Sequence, residues 1–371
     1  MSEKAPLLPH PKGNKPSKSK TAPVLVVHGG AGTMRREGST PAQQARYKAA
    51  LAQALRAGHA VLAAGGEAMD AVVAAVTVLE DNPLFNSGKG AVFNAAGKNE
   101  LEASLALSRP PDPDAHPAIP PTRRALALTL LTRTRNPSHL ARQLFLAPDL
   151  TPHPFLSGAH AEALSAEPPV ADAYFWTAQR WREHRRGLGL PEEDRAEGVE
   201  EGEGDGEPLL DLMPGGTVGA VALDARGCLA VCTSTGGLTN KAPGRIGDTP
   251  HLGAGFWAGE WRARARRWWP FAPRGRGVAV SGTGVGDYFI RQNTAATIAR
   301  RMEYLCEPLG KAAGWAVEAL REDGGDGGVI AVDASGNVAM PLNCTGMYRG
   351  VIRADGVPKT AIFADDELEI T

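Results

Sequence analysis

Two short apolar segments joined by a polar turn occur twice in the second half of this chain. Residues 218–223 and 229–233 flank one Asp- and Gly-containing turn, and residues 329–332 and 338–340 flank another. This pattern is typical of β-hairpins. Because helical patterns such as 287–302 lie between the two hairpins, we predict an α+β fold in which helices cover stacked antiparallel sheets.

The first half of the chain begins with a strand pattern and continues with helix patterns. The apolar run 23–27 is followed by the glycine-rich residues 28–32, which predicts a buried strand that ends in a tight turn. Thr40 and Pro41 are the residue types favoured at a helix N-cap and at the first helical position. The apolar spacing predicts further helices over 67–80, 138–147 and 158–166.

Several segments have compositions that do not favour a packed core. Residues 1–22 are rich in Lys, Pro and Ser and are predicted to be a disordered tail. Residues 191–213 are strongly acidic and are predicted to be a disordered linker. The proline-rich stretch 109–121 is predicted to be an irregular, exposed insertion. Residues 23–371 are therefore predicted to form one domain that carries these insertions.

The overall composition excludes several classes of protein. The net charge of −1 provides no field that would attract nucleic acid or an anionic membrane. The four cysteines form no CxxC pair, which favours a reducing compartment. We find no pattern for a signal peptide or a membrane span, so a cytoplasmic location is predicted.

Three clusters of glycine and hydroxyl residues, 215–219, 233–237 and 281–286, lie at the ends of predicted strands. Such places can expose backbone N–H groups for an oxyanion and a hydroxyl nucleophile, although each cluster alone is also compatible with a plain sharp turn. No GxSxG motif is present to supply a conventional triad. A cut between Gly216 and Thr217 would give Thr217 its own α-amine, whose pKa of about 7.7–8.0 suits a general base.

The order of the motifs makes the comparison with a family specific. The chain resembles the plant-type asparaginases, or isoaspartyl peptidases, of the N-terminal nucleophile hydrolase superfamily. The motifs that carry the resemblance are VVHGGAG (26–32), LEDNPLFNSGKGAVFN (79–94), GTVGAVALD (216–224), TSTGGLTNK (233–241), PGRIGDTPHLGAG (243–255) and SGTGVGD (281–287).

The resemblance implies a fold, a maturation step and an activity. The expected fold is a four-layer αββα sandwich, and the expected maturation is self-cleavage into an α chain (1–216) and a β chain (217–371) that assemble as a dimer of heterodimers. The expected reaction is hydrolysis of L-asparagine or β-aspartyl dipeptides to L-aspartate, without a catalytic metal or organic cofactor.

The resemblance also implies roles for individual residues. Thr217 corresponds to the nucleophile and Thr235 to the threonine that orients it, and the oxyanion hole corresponds to Thr283 with the Gly284 N–H. The residues implied for substrate binding are Arg245 for the α-carboxylate, Asp248 with the Gly286 carbonyl for the α-ammonium, and Asn86 near the nucleophile. The main-chain carbonyls implied for a structural sodium ion belong to Leu79, Glu80, Asn82, Phe85, Ser87 and Lys89.

Alternatives to these interpretations remain open at the level of sequence. Arg245 and Asp248 are close enough in sequence to form a plain surface ion pair, and Asp287 has the position of a helix-dipole partner. The whole chain is also compatible with a hydrolase of N-glycosylated asparagine or with a non-catalytic binding module.

Two insertions depart from the family pattern, at 105–135 and 259–276. The second combines tryptophans with arginines, which suits local packing, cover over the pocket, or docking of an acidic partner such as the linker.

Overall fold

Two β-sheets form the centre of the protein. The computed structural model describes residues 22–191, 216–261 and 277–371. The strands in these ranges are β1 (Val24–Gly32), β2 (Leu101–Leu107), β3 (Ala125–Leu131), β4 (Phe155–Ser157), β5 (Val218–Leu223), β6 (Leu229–Thr235), β7 (Phe256–Glu260), β8 (Gly277–Gly284), β9 (Gly327–Asp333), β10 (Val338–Ala339), β11 (Gly346–Ile352), β12 (Lys359–Phe363) and β13 (Glu369–Ile370). The larger sheet has the order β13-β12-β11-β1-β5-β6-β2-β3-β4 and the smaller one β10-β9-β8-β7.

Helices cover the outer face of each sheet. They are α1 (Pro41–Ala63), α2 (Ala68–Glu80), α3 (Pro137–Phe145), α4 (Gly158–Ala163), α5 (Ala178–Gly187), α6 (Gly286–Gln292), α7 (Thr294–Tyr304) and α8 (Leu309–Glu322). The first three helices pack on the larger sheet, and α7 and α8 pack on the smaller one. The predicted α+β class and the four-layer αββα arrangement are therefore confirmed.

The alternation of side chains along the strands separates the core into three layers. On β5, Ala220 and Ala222 pack under the helices of the larger sheet, whereas Val221 and Leu223 lie between the two sheets. On β8, Val278 and Val280 face α7 and α8, whereas the residue between them faces the other sheet. Because side chains of a strand alternate with period two, each strand contributes to two layers at once.

Most of the predicted elements are present, with different boundaries in places. Helix α1 starts as predicted, with Thr40 as its N-cap in a capping box and Pro41 at its first position. The strand predicted over 23–27 continues as β1 to Gly32, because Ala31 and Gly32 pair with β11 again after a bulge between His28 and Ala31. The helix predicted over 287–302 is divided into α6 and α7 at Asn293, which has a left-handed φ of 50°.

The insertions are only partly within the described residues. The predicted irregular stretch 109–121 contains no helix or strand, as expected. Residues 125–131 of the first insertion instead form β3, which pairs with β2 inside the larger sheet. The predicted tail lies outside the described residues except for its last position, as do nearly all of the acidic linker and residues 262–276 of the second insertion. No helix in the described ranges is long and apolar enough to span a membrane.

Candidate active site

The layer between the two sheets changes from apolar to polar at one end. On the inner face, aliphatic residues such as Val221 and Val231 continue into hydroxyl, imidazole and carboxyl side chains further along the same strands. These buried polar residues are His28, Glu102, Ser104, Thr217, Thr233, Thr235, Ser281 and Thr283. The polar end of this layer is called the inter-sheet pocket below, and it is the candidate active site.

Thr217 lies in the inter-sheet pocket immediately before β5. The β5–β6 register pairs Val218 with Ser234, so the next position along the ladder places Thr217 beside Thr235 on the same face. Thr217 is only 4% exposed. Its backbone N–H donates to the Thr283 hydroxyl at 3.1 Å. The three threonines that the sequence singled out are thus brought together from β5, β6 and β8.

The hydroxyl of Thr283 connects the two sheets at this point. Its oxygen accepts from the backbone N–H of Ala31 at 3.2 Å as well as from Thr217. The neighbouring Gly284 has a φ of +145°, a conformation that L side chains rarely adopt. A Cβ at that position would also lie 2.3 Å from the carbonyl oxygen of Asp326. Glycine is therefore required where the resemblance places the oxyanion N–H.

His28 fixes the other end of the Thr217 peptide unit, a role that the sequence analysis did not predict. Its Nδ1 lies 2.8 Å from the Thr217 carbonyl oxygen, and its Nε2 lies 2.7 Å from the Ser281 hydroxyl. Burial lowers the pKa of His28 to about 3, so the ring is neutral at physiological pH. A carbonyl only accepts, so Nδ1 carries the proton and Nε2 accepts from Ser281, which in turn accepts from Thr233 at 2.8 Å.

The space beside this chain of hydrogen bonds is kept free by Gly219. A Cβ at Gly219 would lie 2.1 Å from the Ser281 hydroxyl oxygen and 2.4 Å from His28 Nε2. We expect Gly219→Ala to lower the free energy of unfolding by about 1–3 kcal/mol because of this overlap. Urea denaturation measures the change.

Gly314→Ala is the matched control for that substitution. Gly314 lies in α8 with no atom within 4 Å of its Cβ position, so alanine there is expected to raise the free energy of unfolding by up to about 1 kcal/mol. Equal effects of the two substitutions would contradict the packing that is described for Gly219.

Asn86 supports the turn that follows Thr235. Its Nδ2 donates to the Gly237 carbonyl at 2.7 Å, and its Oδ1 accepts from the Val92 N–H at 3.0 Å. The Gly237 N–H donates to the Thr235 hydroxyl at 3.0 Å. The structure therefore places Asn86 where it positions Thr235, and a direct contact between Asn86 and substrate stays a prediction.

Arg245 and Asp248 lie near each other but do not form the ion pair considered from the sequence. Arg245 Nη2 contacts the Asp287 carboxylate at 2.7 Å, and the described residues contain no ion pair between Arg245 and Asp248. The carboxylate of Asp287 is thus engaged by Arg245 as well as lying in the first turn of α6. Asp248 Oδ2 has no hydrogen-bond partner among the described residues.

The Asp248 carboxylate is buried against two glycines. A Cβ on Gly286 would lie 2.4 Å from its Oδ1, and a Cβ on Gly255 would lie 2.7 Å from its Oδ2. Burial, together with the nearby Glu102 carboxylate, raises the pKa of Asp248 to about 7. A cationic group that enters this site would favour the ionised form of Asp248.

The loop that contains the carbonyls suggested for sodium folds tightly on itself. A Cβ on Gly88 would lie 2.3 Å from the Glu80 carbonyl oxygen, and one on Gly90 would lie 2.2 Å from the Phe85 carbonyl oxygen. The Glu80 carboxylate accepts from the Ser138 N–H at 2.9 Å and hydroxyl at 2.7 Å, which joins the end of α2 to α3. No cluster of His, Cys, Asp or Glu side chains suited to a metal occurs in the described ranges.

Comparison with known proteins supports the resemblance noted from the motifs. Residues 21–362 match the family described as asparaginase. The chain belongs to the asparaginase family. This asparaginase-family chain is 38% identical over 346 residues to the isoaspartyl peptidase of Escherichia coli (strain K12), which covers 92% of this chain and 96% of that protein.

Eukaryotic relatives give the same result. This asparaginase-family chain is 35% identical over 360 residues to the putative isoaspartyl peptidase/L-asparaginase of Dictyostelium discoideum, covering 90% of this chain and 94% of that protein. It is 34% identical over 317 residues to the isoaspartyl peptidase/L-asparaginase of Rattus norvegicus. That alignment covers 85% of this chain and 81% of the rat protein.

Proposed function

We propose that this protein cleaves itself between Gly216 and Thr217 and that Thr217 then hydrolyses the side-chain amide of L-asparagine or the β-peptide bond of β-aspartyl dipeptides. The observation that carries the proposal is the position of Thr217. Its N–H and its carbonyl are each held by a buried side chain, Thr283 and His28 respectively. A backbone nitrogen held in this way becomes a positioned α-amine once the bond before it is cut.

Close packing around the Gly216–Thr217 bond supports the cleavage step. A Cβ on Gly216 would lie 2.6 Å from the Gly30 Cα, and a Cβ on Gly30 would lie 2.9 Å from the Gly216 Cα. Two glycines therefore allow the bond to lie directly against β1. Hydrolysis of this bond consumes one water and leaves a carboxylate on Gly216 and an amine on Thr217.

The chemistry of turnover follows from these groups. The Thr217 hydroxyl oxygen adds to the substrate carbonyl carbon while its proton passes to the Thr217 α-amine, which acts as the base. The negative oxygen that forms is stabilised by the Thr283 hydroxyl and the Gly284 N–H. The C–N bond then breaks, the leaving ammonia or amino acid takes the proton, and water releases L-aspartate from the ester on Thr217.

Selection of the aspartyl group depends on the opposite end of the pocket. Arg245 provides a planar set of donors for the α-carboxylate, and the unpaired carboxylate oxygen of Asp248 suits the α-ammonium. L-Asparagine and β-aspartyl dipeptides share these two groups. Ammonia release from L-asparagine, measured beside amino-acid release from a β-aspartyl dipeptide, tests the proposal, which fails if neither substrate is hydrolysed.

The two fragments produced by cleavage are expected to stay together. Strand β5 of the second fragment lies between β1 of the first fragment and β6 of the second, and β6 in turn pairs with β2 of the first. Separating the fragments would therefore expose the centre of the larger sheet. Gel filtration should show both fragments in one peak, and they should separate only in denaturant. Separation in native buffer would contradict this arrangement.

We also propose the remaining features that the resemblance implies. The carbonyls of residues 79–89 would hold a structural sodium ion, since a hard cation prefers oxygen ligands, and the mature protein would be a cytoplasmic dimer of αβ heterodimers. All four cysteines are free, which agrees with a reducing compartment. Light scattering of the processed protein measures the assembly, and melting temperatures in sodium and in choline chloride test the ion.

A further inference from the structure

A second buried carboxylate, Glu102, lies in the same part of the pocket as Asp248. The β2–β6 register places Glu102 directly opposite Thr235, whose other neighbour is Thr217. Glu102 is only 1% exposed. It therefore belongs to the row of side chains that contains the proposed nucleophile, although the motifs gave it no role.

One oxygen of Glu102 supports the loop that carries Arg245 and Asp248. Its Oε1 accepts from the Gly247 N–H at 2.8 Å. Its Oε2 is buried and has no hydrogen-bond partner among the described residues. A Cβ on Gly247 would lie 3.1 Å from this Oε2 and 2.8 Å from Arg245 Nη1, so the unpartnered oxygen and the guanidinium both border the space beside Gly247.

Asp248 also has one carboxylate oxygen that lacks a hydrogen-bond partner within the described ranges. Its Oδ2 is also buried without a hydrogen-bond partner in the described part of the chain. A buried carboxylate oxygen without a hydrogen bond lowers the stability of the fold, and two such oxygens in one site lower it further. Two such oxygens in one pocket are most simply explained by a ligand with several N–H donors and a positive charge.

The number of donors on the proposed substrate matches the acceptors in the pocket. An α-ammonium group has three N–H donors. Asp248 Oδ2 and the Gly286 carbonyl account for two of them in the proposed function, and Glu102 Oε2 is available for the third. We propose that Glu102 is a specificity-determining residue that binds the substrate α-ammonium together with Asp248, an inference that rests on the proposed function.

The surrounding charges are compatible with this role. Burial raises the pKa of Glu102, whereas the nearby Lys241 and Arg245 favour its ionised form. The charged groups that act on Asp248 are Glu102, Arg245 and Asp287. Lys241 Nζ already donates to the Glu100 carbonyl at 2.8 Å. A ligand cation that enters here would favour the ionised forms of both Glu102 and Asp248.

L-Aspartate and succinate provide a direct test, since they differ only in the α-ammonium group. Calorimetry should show that Glu102→Gln weakens L-aspartate binding by about 10- to 100-fold, the range expected for one charge-assisted hydrogen bond, while succinate binding changes by less than about threefold. The glutamine keeps an oxygen for the Gly247 N–H, so support of the loop is retained. Glu102→Asp keeps the charge and should recover part of the L-aspartate affinity.

Glu100→Gln is the matched control. Glu100 also accepts from this loop, through the Gly244 N–H at 3.0 Å, but it is partly exposed and does not share the buried row. Any effect of Glu100→Gln should be equal for the two ligands. Equal losses for L-aspartate and succinate in Glu102→Gln would overturn the inference and leave Glu102 with support of the loop alone.

The pH dependence tests whether the carboxylates of Glu102 and Asp248 lie close enough to interact, which the inference requires. Protonation of Asp248 below about pH 7 should weaken L-aspartate binding in the wild-type protein. Because the Glu102 charge raises the pKa of Asp248, Glu102→Gln should shift this loss to lower pH. An unshifted profile would contradict the inference. Since these assays measure binding, they remain decisive even if no amide is hydrolysed, a result that would overturn the proposed function instead.

Discussion

Replacing Thr217 with alanine is expected to abolish both self-cleavage and amide hydrolysis. The substitution removes the only group that the proposed chemistry uses as a nucleophile, while the N–H that donates to Thr283 and the carbonyl that accepts from His28 remain. Loss of a nucleophile costs roughly four orders of magnitude or more in rate. The uncleaved chain should be visible by gel electrophoresis, and ammonia release should fall to background.

Thr217→Ser is the matched control for that result, since serine keeps the hydroxyl and loses only a methyl group. We expect the serine variant to be cleaved and to retain measurable hydrolysis. A Thr217→Ala protein that still splits at residue 216, or that hydrolyses L-asparagine at the wild-type rate, would exclude Thr217 as the nucleophile.

Thr283→Val is expected to have the second-largest effect. Valine has nearly the shape of threonine but cannot accept from the Ala31 and Thr217 N–H groups or donate to a developing oxyanion. Loss of one oxyanion donor lowers kcat by about 10²–10³-fold. Each of the two buried N–H groups left without an acceptor should also lower the free energy of unfolding by about 1–3 kcal/mol. Rate assays and thermal unfolding of the same preparation measure both effects.

Thr283→Ser separates the hydroxyl from the methyl group in this experiment. Serine keeps the hydroxyl, so its kcat should lie within about tenfold of the wild-type value. If Thr283→Val and Thr283→Ser lose activity equally, packing of the methyl group, not the hydroxyl, is what the site requires.

The motifs allowed much of the fold to be predicted. The hairpins around 218–233 and 329–340 were predicted from short apolar runs joined by Asp- and Gly-containing turns, and both are present in the structure. Helix α1 has a clear start signal in its capping box, and both α1 and α2 have buried apolar faces. These elements were predictable because their local propensity agrees with their tertiary environment.

Two other elements, α5 and β11, were not predicted, and each of them contains a buried arginine. Helix α5 has few apolar residues, and it packs through Arg180, whose Nε donates to the Gly90 carbonyl at 2.9 Å. Strand β11 contains the buried Arg349, whose guanidinium donates to the Met347 and Ile362 carbonyls. Hydrophobic periodicity cannot detect elements whose burial depends on specific long-range hydrogen bonds.

The threonines of the candidate site were predicted, but the residues that hydrogen-bond around them were not. The resemblance supplied Thr217, Thr235 and Thr283, and the structure brings them together. It gave no role to His28 or Glu102, because their contacts are with residues far away in sequence. The one available signal was that His28 and Glu102 interrupt otherwise small or apolar strand segments at the same ends as the hydroxyl clusters.

The intact mass of the purified wild-type protein tests the central claim most directly. The uncleaved chain has a mass of 38.9 kDa. Self-cleavage predicts two fragments, one that ends at Gly216 and one whose N-terminal sequence begins Thr217-Val218-Gly219. A single 38.9 kDa chain that still hydrolyses L-asparagine after long incubation would contradict the account. Cleavage at any bond other than Gly216–Thr217 would contradict it as well.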